Sequence, residues 1–415
     1  MKSLIQDAIK KANEESGAPA VRSSPFSAPK AAPAANGASP FASLFPGQPQ
    51  PYAAPAPAAP AYAQAAMPTS EIDQELEALL AGLNTKIKVV GCGGGGCNTI
   101  MRLSQSNLEN VELIACNTDA QHLLNVKVPQ KILIGRNLTR GLGAGAIPDV
   151  GKNAAEESEE AIRKALDGAD LVFVTAGMGG GTGTGSAPVV AEVARDLGAL
   201  TIAVVTTPFG MEGHIRAKNA ESGLSRLRDA ADTTVVIPND KLLEVAPRLP
   251  LAQAFRVADE ILMRSIRGLT EMITKPGLVN LDFADLKTVM KKGGVAMIGV
   301  GEAEGDQRAR EAIEEALTSP LLDVDVSSAT GCLVDVAGGP DMTLEEAQKV
   351  VQEIHDRVSP DCRIIWGANV QPDLGKTLRA MVVLTGVRSK QILGRDDSVP
   401  NYREAARPKG VDFVL

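Results

Sequence analysis

Apolar and polar positions alternate in blocks over residues 86–237. Short runs rich in Val, Ile, Leu and Ala, at 86–90, 111–116, 169–176, 199–206 and 233–237, are separated by stretches whose apolar residues recur at helical spacing. Strands alternating with helices predict an α/β fold built on a doubly wound parallel sheet, with ligands at the C-terminal ends of its strands. Residues 251–273 carry Leu251, Phe255, Ala258, Ile261, Leu262, Ile266 and Leu269 on one periodic stripe, which reads as a single long helix stopped by Pro276 and Gly277. Beyond it, strand candidates at 294–300, 331–337, 363–370 and 377–387, with helices at 306–317 and 343–358, predict a smaller α+β domain.

The flanks follow other patterns. Leu4, Ile5, Ala8, Ile9 and Ala12 have helical spacing, whereas Gly17 to Pro68 is rich in Ala, Pro, Ser and Gly and poor in charge. Such a segment reads as a disordered tether, with an end-to-end distance of roughly 40 Å for a flexible coil of about 50 residues. Order is expected to resume at Ser70, an N-cap candidate, before Ile72, Leu76, Leu79, Leu80 and Leu83 on one helical face. The expected organisation is therefore 1–69 helix and linker, 70–250 α/β domain with a leading helix, 251–275 central helix, 276–393 α+β domain and 394–415 tail.

Two glycine loops interrupt this pattern at strand ends. Residues 177–185, Gly-Met-Gly-Gly-Gly-Thr-Gly-Thr-Gly, hold six glycines and two threonines in nine positions, between the run 169–176 and the helical stretch 186–194. Without a Cβ the backbone can close on an anion, and the following helix start supplies unpaired N–H groups and the positive end of its dipole. Pro188 is expected in the first helical turn, where a missing N–H costs nothing. The second loop, Gly91-Cys-Gly-Gly-Gly-Gly-Cys-Asn98, follows 86–90 and opens a helical segment at 99–106. Two loops of this kind suggest one nucleotide held at two strand–helix junctions. Gly91, Gly93 and Gly96 also fit G-x-G-x-x-G, with Asp119 after the next strand, which alone points weakly to a dinucleotide site. A P-loop is excluded, because neither loop ends in Gly-Lys-[Ser/Thr].

Composition narrows the function. A net charge of −8 and the lack of a long Lys/Arg cluster exclude a nucleic-acid footprint. No apolar run approaches the ~18 residues of a membrane span, and the N-terminus lacks a secretory core, so a cytoplasmic location is expected. Cys92, Cys97, Cys116, Cys332 and Cys362 form no C-x₂-C pair, and the three histidines are scattered, so no protein-bound metal site is expected.

The stretch 177–185 resembles the signature of the tubulin/FtsZ family of GTPases. Asn117-Thr-Asp-Ala-Gln121, Gly141-Leu-Gly-Ala-Gly-Ala146, Ile237-Pro-Asn-Asp-Lys-Leu242 and Asn280-Leu-Asp-Phe-Ala-Asp285 resemble its other segments in the same order, over about residues 86–393 and closer to the FtsZ branch than to tubulin. The resemblance implies a GTPase with GTP/GDP as nucleotide and Mg²⁺ as phosphate counter-charge, polymerising head to tail in the cell-division ring. It implies phosphate contacts from Gly94, Gly95, Gly96, Cys97 and Asn98 and from Gly179, Gly180, Gly181, Thr182, Gly183 and Thr184, with Ala144, Gly145 and Ala146 as the γ-phosphate sensor. Cys97 stands where many relatives have glycine and would bring a thiol near the nucleotide. Glu212 and Arg216 would reach ribose and phosphate, although four-residue spacing equally suits a surface ion pair. Phe255 and Asp259, also four apart, would stack on the base and accept from guanine N1–H and N2–H₂, with Asn239 as second base contact. Asp282, Asp285 and Asn280 would polarise the attacking water in the next subunit's site; as plain sequence, aspartates there equally suit a helix N-cap.

The long linker before the GTPase domain and the short tail after it resemble archaeal members more than the common bacterial pattern. Either the N-terminal helix or the C-terminal Gly410-Val-Asp-Phe-Val-Leu415 is then the candidate grip for a membrane-anchor or division-ring partner; a frayed end is the plain alternative for each. Competing readings are a Rossmann-type oxidoreductase, which leaves the second glycine loop unexplained, and a GTP-binding paralogue that polymerises slowly or not at all.

Overall fold

The computed structural model describes residues 85–387, apart from 107, 109, 246–249, 275–276, 280–281, 292 and 320–325. The expected helices at 1–15 and 70–83, the linker, the tail, Pro276 and Asn280 lie outside the described residues.

Ten strands form one sheet: β1 (Ile87–Cys92), β2 (Val111–Asn117), β3 (Gln130–Leu133), β4 (Leu171–Gly177), β5 (Leu200–Thr207), β6 (Thr233–Pro238), β7 (Gly294–Glu304), β8 (Gly331–Gly338), β9 (Arg363–Val370) and β10 (Thr377–Thr385), in the order β3-β2-β1-β4-β5-β6-β7-β10-β8-β9. The pairs from β3 to β6 are parallel, as expected. Antiparallel β10 joins β7 to β8, and β9 is parallel to β8. The two halves meet through a short parallel pairing of β6 with β7, from Thr233↔Gly294 to Val235↔Ala296.

The helices are α1 (Gly93–Leu103), α2 (Ala120–Asn125), α3 (Arg136–Thr139), α4 (Pro148–Glu157), α5 (Glu159–Leu166), α6 (Thr182–Asp196), α7 (His214–Ala230), α8 (Asn239–Val245), α9 (Leu251–Thr274), α10 (Phe283–Met290), α11 (Arg308–Leu317) and α12 (Leu344–His355). Alternate residues of β4 face opposite ways. Phe173 packs with Ile100 of α1 and Val257 and Leu262 of α9, whereas Val172 and Val174 pack with Val190 of α6 and Leu227 of α7. Burial on both faces explains why the central strands read as near-continuous apolar runs, broken only by a few buried polar side chains such as Lys88, Thr175 and Thr201. α9 also packs on Leu286 and Met290 of α10, Leu333 of β8 and Met381 and Val383 of β10, so one helix seals both halves of the sheet. A third cluster sets α11 and α12 against the other face of β7, β8 and β10.

Two boundaries differ from the sequence reading. Both helices start inside their glycine loops, α1 at Gly93 and α6 at Thr182, because their first turns face a cavity and need no side-chain packing there. Pro188 consequently lies inside α6, buried, and not in its first turn. Its ring removes the N–H that would bond the Thr184 carbonyl, a cost the surrounding packing must offset.

Candidate functional site

β1 and β4 run side by side in register, Cys92 opposite Ala176, and each delivers a glycine-rich turn at its C-terminal end. Neither α1 nor α6 has a side-chain N-cap or an acidic residue in its first turn. Two helix N-termini with free N–H groups therefore converge on one place, which favours an anion. Some glycines serve the fold, for a Cβ on Gly96 would stand 2.3 Å from the Thr175 carbonyl oxygen. Gly94 and Gly180 serve the space in front of them. A Cβ at either would meet no protein atom within 4 Å, yet both line a cavity of about 350 Å³.

That cavity is lined at one end by Gly94, Gly95, Asn98, Gly180, Gly181, Thr182 and Gly183. The Thr182 hydroxyl lies 2.7 Å from that of Thr118, and the Gly179 N–H donates to Thr184 Oγ1 at 2.8 Å, which ties the turn to its own helix. Gly96, Cys97, Gly179 and Thr184 sit behind this surface and do not line it. The Cys97 thiol faces inward against Ala115, Leu123 and Val126, and burial pushes it up to about 12, so it brings no reactive group to the cavity. Ala144, Gly145 and Ala146 stand beside the lining: a Cβ on Gly181 would meet Ile147 N at 2.8 Å and Ala144 Cβ at 2.9 Å.

Glu212 and Arg216 both line the cavity wall and pair with each other, Glu212 Oε1 also accepting from the Phe209 N–H at 2.9 Å. They occupy two elements, a 3₁₀ turn at Gly210–Glu212 and α7, so the four-residue spacing brings them together across a break.

The other end is lined by Asn239, Phe255, Ala258 and Asp259. Phe255 is 39% exposed, with its ring held by the buried Phe209 edge-on, centroids 5.1 Å apart and planes at 84°. Asn239 is buried, and its Oδ1 has no hydrogen-bond partner in the protein. Such an orphan acceptor on a cavity wall is what a ligand N–H would satisfy. Burial pushes Asp259 up to about 7, opposed by Arg102, whose Nε is 3.9 Å away.

Asp282 and Asp285 do not line this cavity. Asp282 is the exposed N-cap of α10, its Oδ1 accepting from the Asp285 N–H at 2.7 Å, so the capping geometry is present in full. Sequence reasoning placed Gly177 and Met178 in the anion loop without naming either as a contact, and missed Thr206, Thr207, Pro208 and Ala258 in the lining and Phe209 behind it. Thr206 to Pro208 end β5, beside β4, where the rule that ligands sit at strand C-termini would have found them.

Residues 86–247 match the model of the Tubulin/FtsZ family GTPase domain, and residues 294–388 that of the FtsZ family C-terminal domain. Cell division protein FtsZ 1 of Archaeoglobus fulgidus is 59% identical over 344 residues, covering 83% of this chain and 92% of that relative. The chain belongs to the FtsZ family. Cell division protein FtsZ of Haloferax mediterranei is 57% identical over 82% of this chain and 90% of its own length. Among solved structures, an empty FtsZ dimer of M. jannaschii is 55% identical, with a TM-score of 0.73 over 76% of this chain and 92% of that one. CetZ2 from Haloferax volcanii, in a GTPγS-bound protofilament, is 24% identical at a TM-score of 0.64 and shares the fold. The protein is accordingly a GTP-binding, GTP-hydrolysing member that forms filaments in cell division, and the oxidoreductase reading is set aside.

Proposed function

We propose that GTP occupies the cavity between α1, α6 and α9, and that its hydrolysis is completed only where a second copy meets this one head to tail. The base lies on Phe255, with Asn239 and Asp259 on its polar edge; adenine lacks the two donors that a carboxylate would accept from guanine. Backbone N–H groups of Gly94 to Asn98 and Gly179 to Thr184 take the phosphates, with Ala144 to Ala146 at the third, and Glu212 and Arg216 take the ribose side. The observation that carries the shared site is a mismatch. Among the described residues the carboxylates on the cavity wall are Glu212 and Asp259, one paired with Arg216 and the other at the base end, whereas Asp282 and Asp285 stand outside it. A water-polarising carboxylate must then come from another copy, and Asp282 and Asp285, with Asn280 just before them, supply it. A contact joining unlike surfaces does not close on itself, so it propagates a filament.

A Mg²⁺ carried by the phosphates and completed by water is the expected counter-charge, with hydroxyls such as that of Thr182 in the cavity lining. Bound there, the ion would offset phosphate charge. The location proposed is the cytoplasm at the midcell division site, with a membrane anchor or ring protein gripping segment 1–15 or 410–415. Among the described residues no helix is long and apolar enough to cross a membrane.

The test is GTP turnover per molecule against protein concentration, alongside light scattering, for wild type and Asp285→Ala. The expected result is a shared threshold for both signals, with the variant binding GTP normally and turning it over at least about a hundredfold more slowly. A wild-type rate per molecule independent of concentration would mean that each copy completes its own site.

A further inference from the structure

Asn219 stands half-buried on α7, and no role has fallen to it so far. Its side-chain amide reaches two loops at once: Nδ2 donates to the Ala146 carbonyl at 3.2 Å and to the Gly179 carbonyl at 3.4 Å. Both acceptors lie in left-handed backbone, Ala146 at φ 59° and Gly179 at φ 102°. Ala146 adopts that conformation with a Cβ, against the preference of an L-residue, in a loop where Gly143 and Gly145 are left-handed too. Such a segment keeps one shape only if its surroundings hold it. The two loops also touch directly, Gly181 against Ala144 and Ile147, so Asn219 clamps a contact already made.

The clamp has a directional effect. In a trans peptide unit the N–H points opposite to the C=O. Holding the Gly179 oxygen on the Asn219 side therefore turns the N–H of Gly180, a cavity-lining residue, the other way. On the far side of the same turn, the Gly179 N–H is held by Thr184 Oγ1, so both peptide units flanking Gly179 are fixed.

We propose that Asn219 is a positioning residue for the third phosphate: it aims the Gly180 N–H into the cavity and keeps the Ala144–Ala146 loop against it, so that the site distinguishes a nucleoside triphosphate from a diphosphate. This rests on the nucleotide reading given above. It assigns no contact between Asn219 and the nucleotide itself.

The experiment measures affinity for GDP and for GTPγS with Mg²⁺, using the full chain below its assembly threshold, for wild type, Asn219→Ala, Asn219→Asp and Asn219→Gln. Alanine suits a helix interior position, and aspartate keeps the shape while losing both N–H donors. Both are expected to weaken GTPγS by roughly five- to tenfold, the worth of one lost hydrogen bond, and GDP by less than about twofold. Glutamine keeps the donors and should recover part of the difference. Equal weakening of both nucleotides, no weakening of either, or an Asn219→Asp variant that keeps the wild-type preference would each overturn the proposal. Asp259→Ala serves as the control at the base end. If it weakens both nucleotides while the Asn219 variants show no selective loss, only the Asn219 role fails. If it leaves both unchanged, the cavity is not the nucleotide site.

Discussion

At Asp259 the protein holds a carboxyl group where burial favours the protonated form, on the wall that meets the guanine base in the proposed complex. Its value of about 7 lies above the ordinary 3.8, so the folded state binds the proton more tightly than the unfolded one. For the empty protein this contribution to stability is fully present below about pH 4 and is lost as the pH rises through about 7. Nucleotide binding works in the opposite direction, because guanine N–H donors favour the ionised carboxylate. GDP affinity is therefore expected to fall by up to about tenfold per pH unit below 7, with a proton released on binding near neutrality. Calorimetric titration at pH 6 and pH 8, in two buffers of different ionisation enthalpy, measures both; equal affinities and no proton release would remove Asp259 from the base contact. Asp259→Asn should abolish the pH dependence and cost at least about tenfold in GDP affinity at pH 8. Recognition at this scale was partly legible beforehand. Phe255 and Asp259 lie one helical turn apart, so their common face follows from spacing, but their role as base contacts came from the family likeness. Phe209, which fixes the Phe255 ring, carried no signal, because the two meet only through the packing of the loop after β5 on α9.

Helix starts are the element where sequence reasoning was ambiguous, since the residues that cap a helix are also those that do chemistry. α10 shows the ambiguity in one pair: Asp282 caps, and the N–H it accepts belongs to Asp285. The two roles separate under substitution. Asp282→Ser keeps a capping oxygen and should change stability by no more than a few tenths of a kcal/mol, whereas Asp282→Ala should cost about 1 kcal/mol. GTP turnover is expected to collapse in both, because neither retains the carboxylate. Denaturant melts paired with a turnover assay decide the matter, and turnover that survives in Asp282→Ser would leave the residue with capping alone. The starts of α1 and α6 were displaced for a related reason. Glycine weakens helix propensity, which argued for loops up to Thr99 and Ser186, but the first turns of these helices face the cavity and gain from having no side chains. β3 escaped notice because its short run, Gln130–Leu133, has two polar residues, whereas the long strands announced themselves through apolar positions on both faces.

One sheet and one helix tie the whole molecule together. The β6–β7 pairing joins the two halves over three residue pairs, and α9 packs its apolar stripe across both. Ile266 and Leu269 are completely buried at the middle of that stripe. Ile266→Ala is expected to cost about 2–5 kcal/mol and to lower the unfolding midpoint of both halves together, followed by a nucleotide probe for the first and by the single tryptophan, Trp366 on β9, for the second. A loss confined to one probe would show that the halves unfold independently. The alternation that announced the parallel half, and the strand candidates after residue 294, were readable in the chain; their fusion into one sheet was not, because three pairings leave no mark on hydrophobic pattern. The separation of Asp282 and Asp285 from their own cavity bears on counting. On the proposed arrangement, a row of n copies contains only n−1 finished catalytic centres. The copy at one end presents a loaded cavity with no neighbour's carboxylates over it and keeps its triphosphate, while the copy at the other end offers its carboxylates to solvent. A lone molecule has no finished centre, a pair has one for two nucleotides, and the rate per molecule approaches its ceiling only in long rows. Turnover thus becomes a measure of length, and every row, long or short, carries at one tip a nucleotide that stays unspent until another copy arrives.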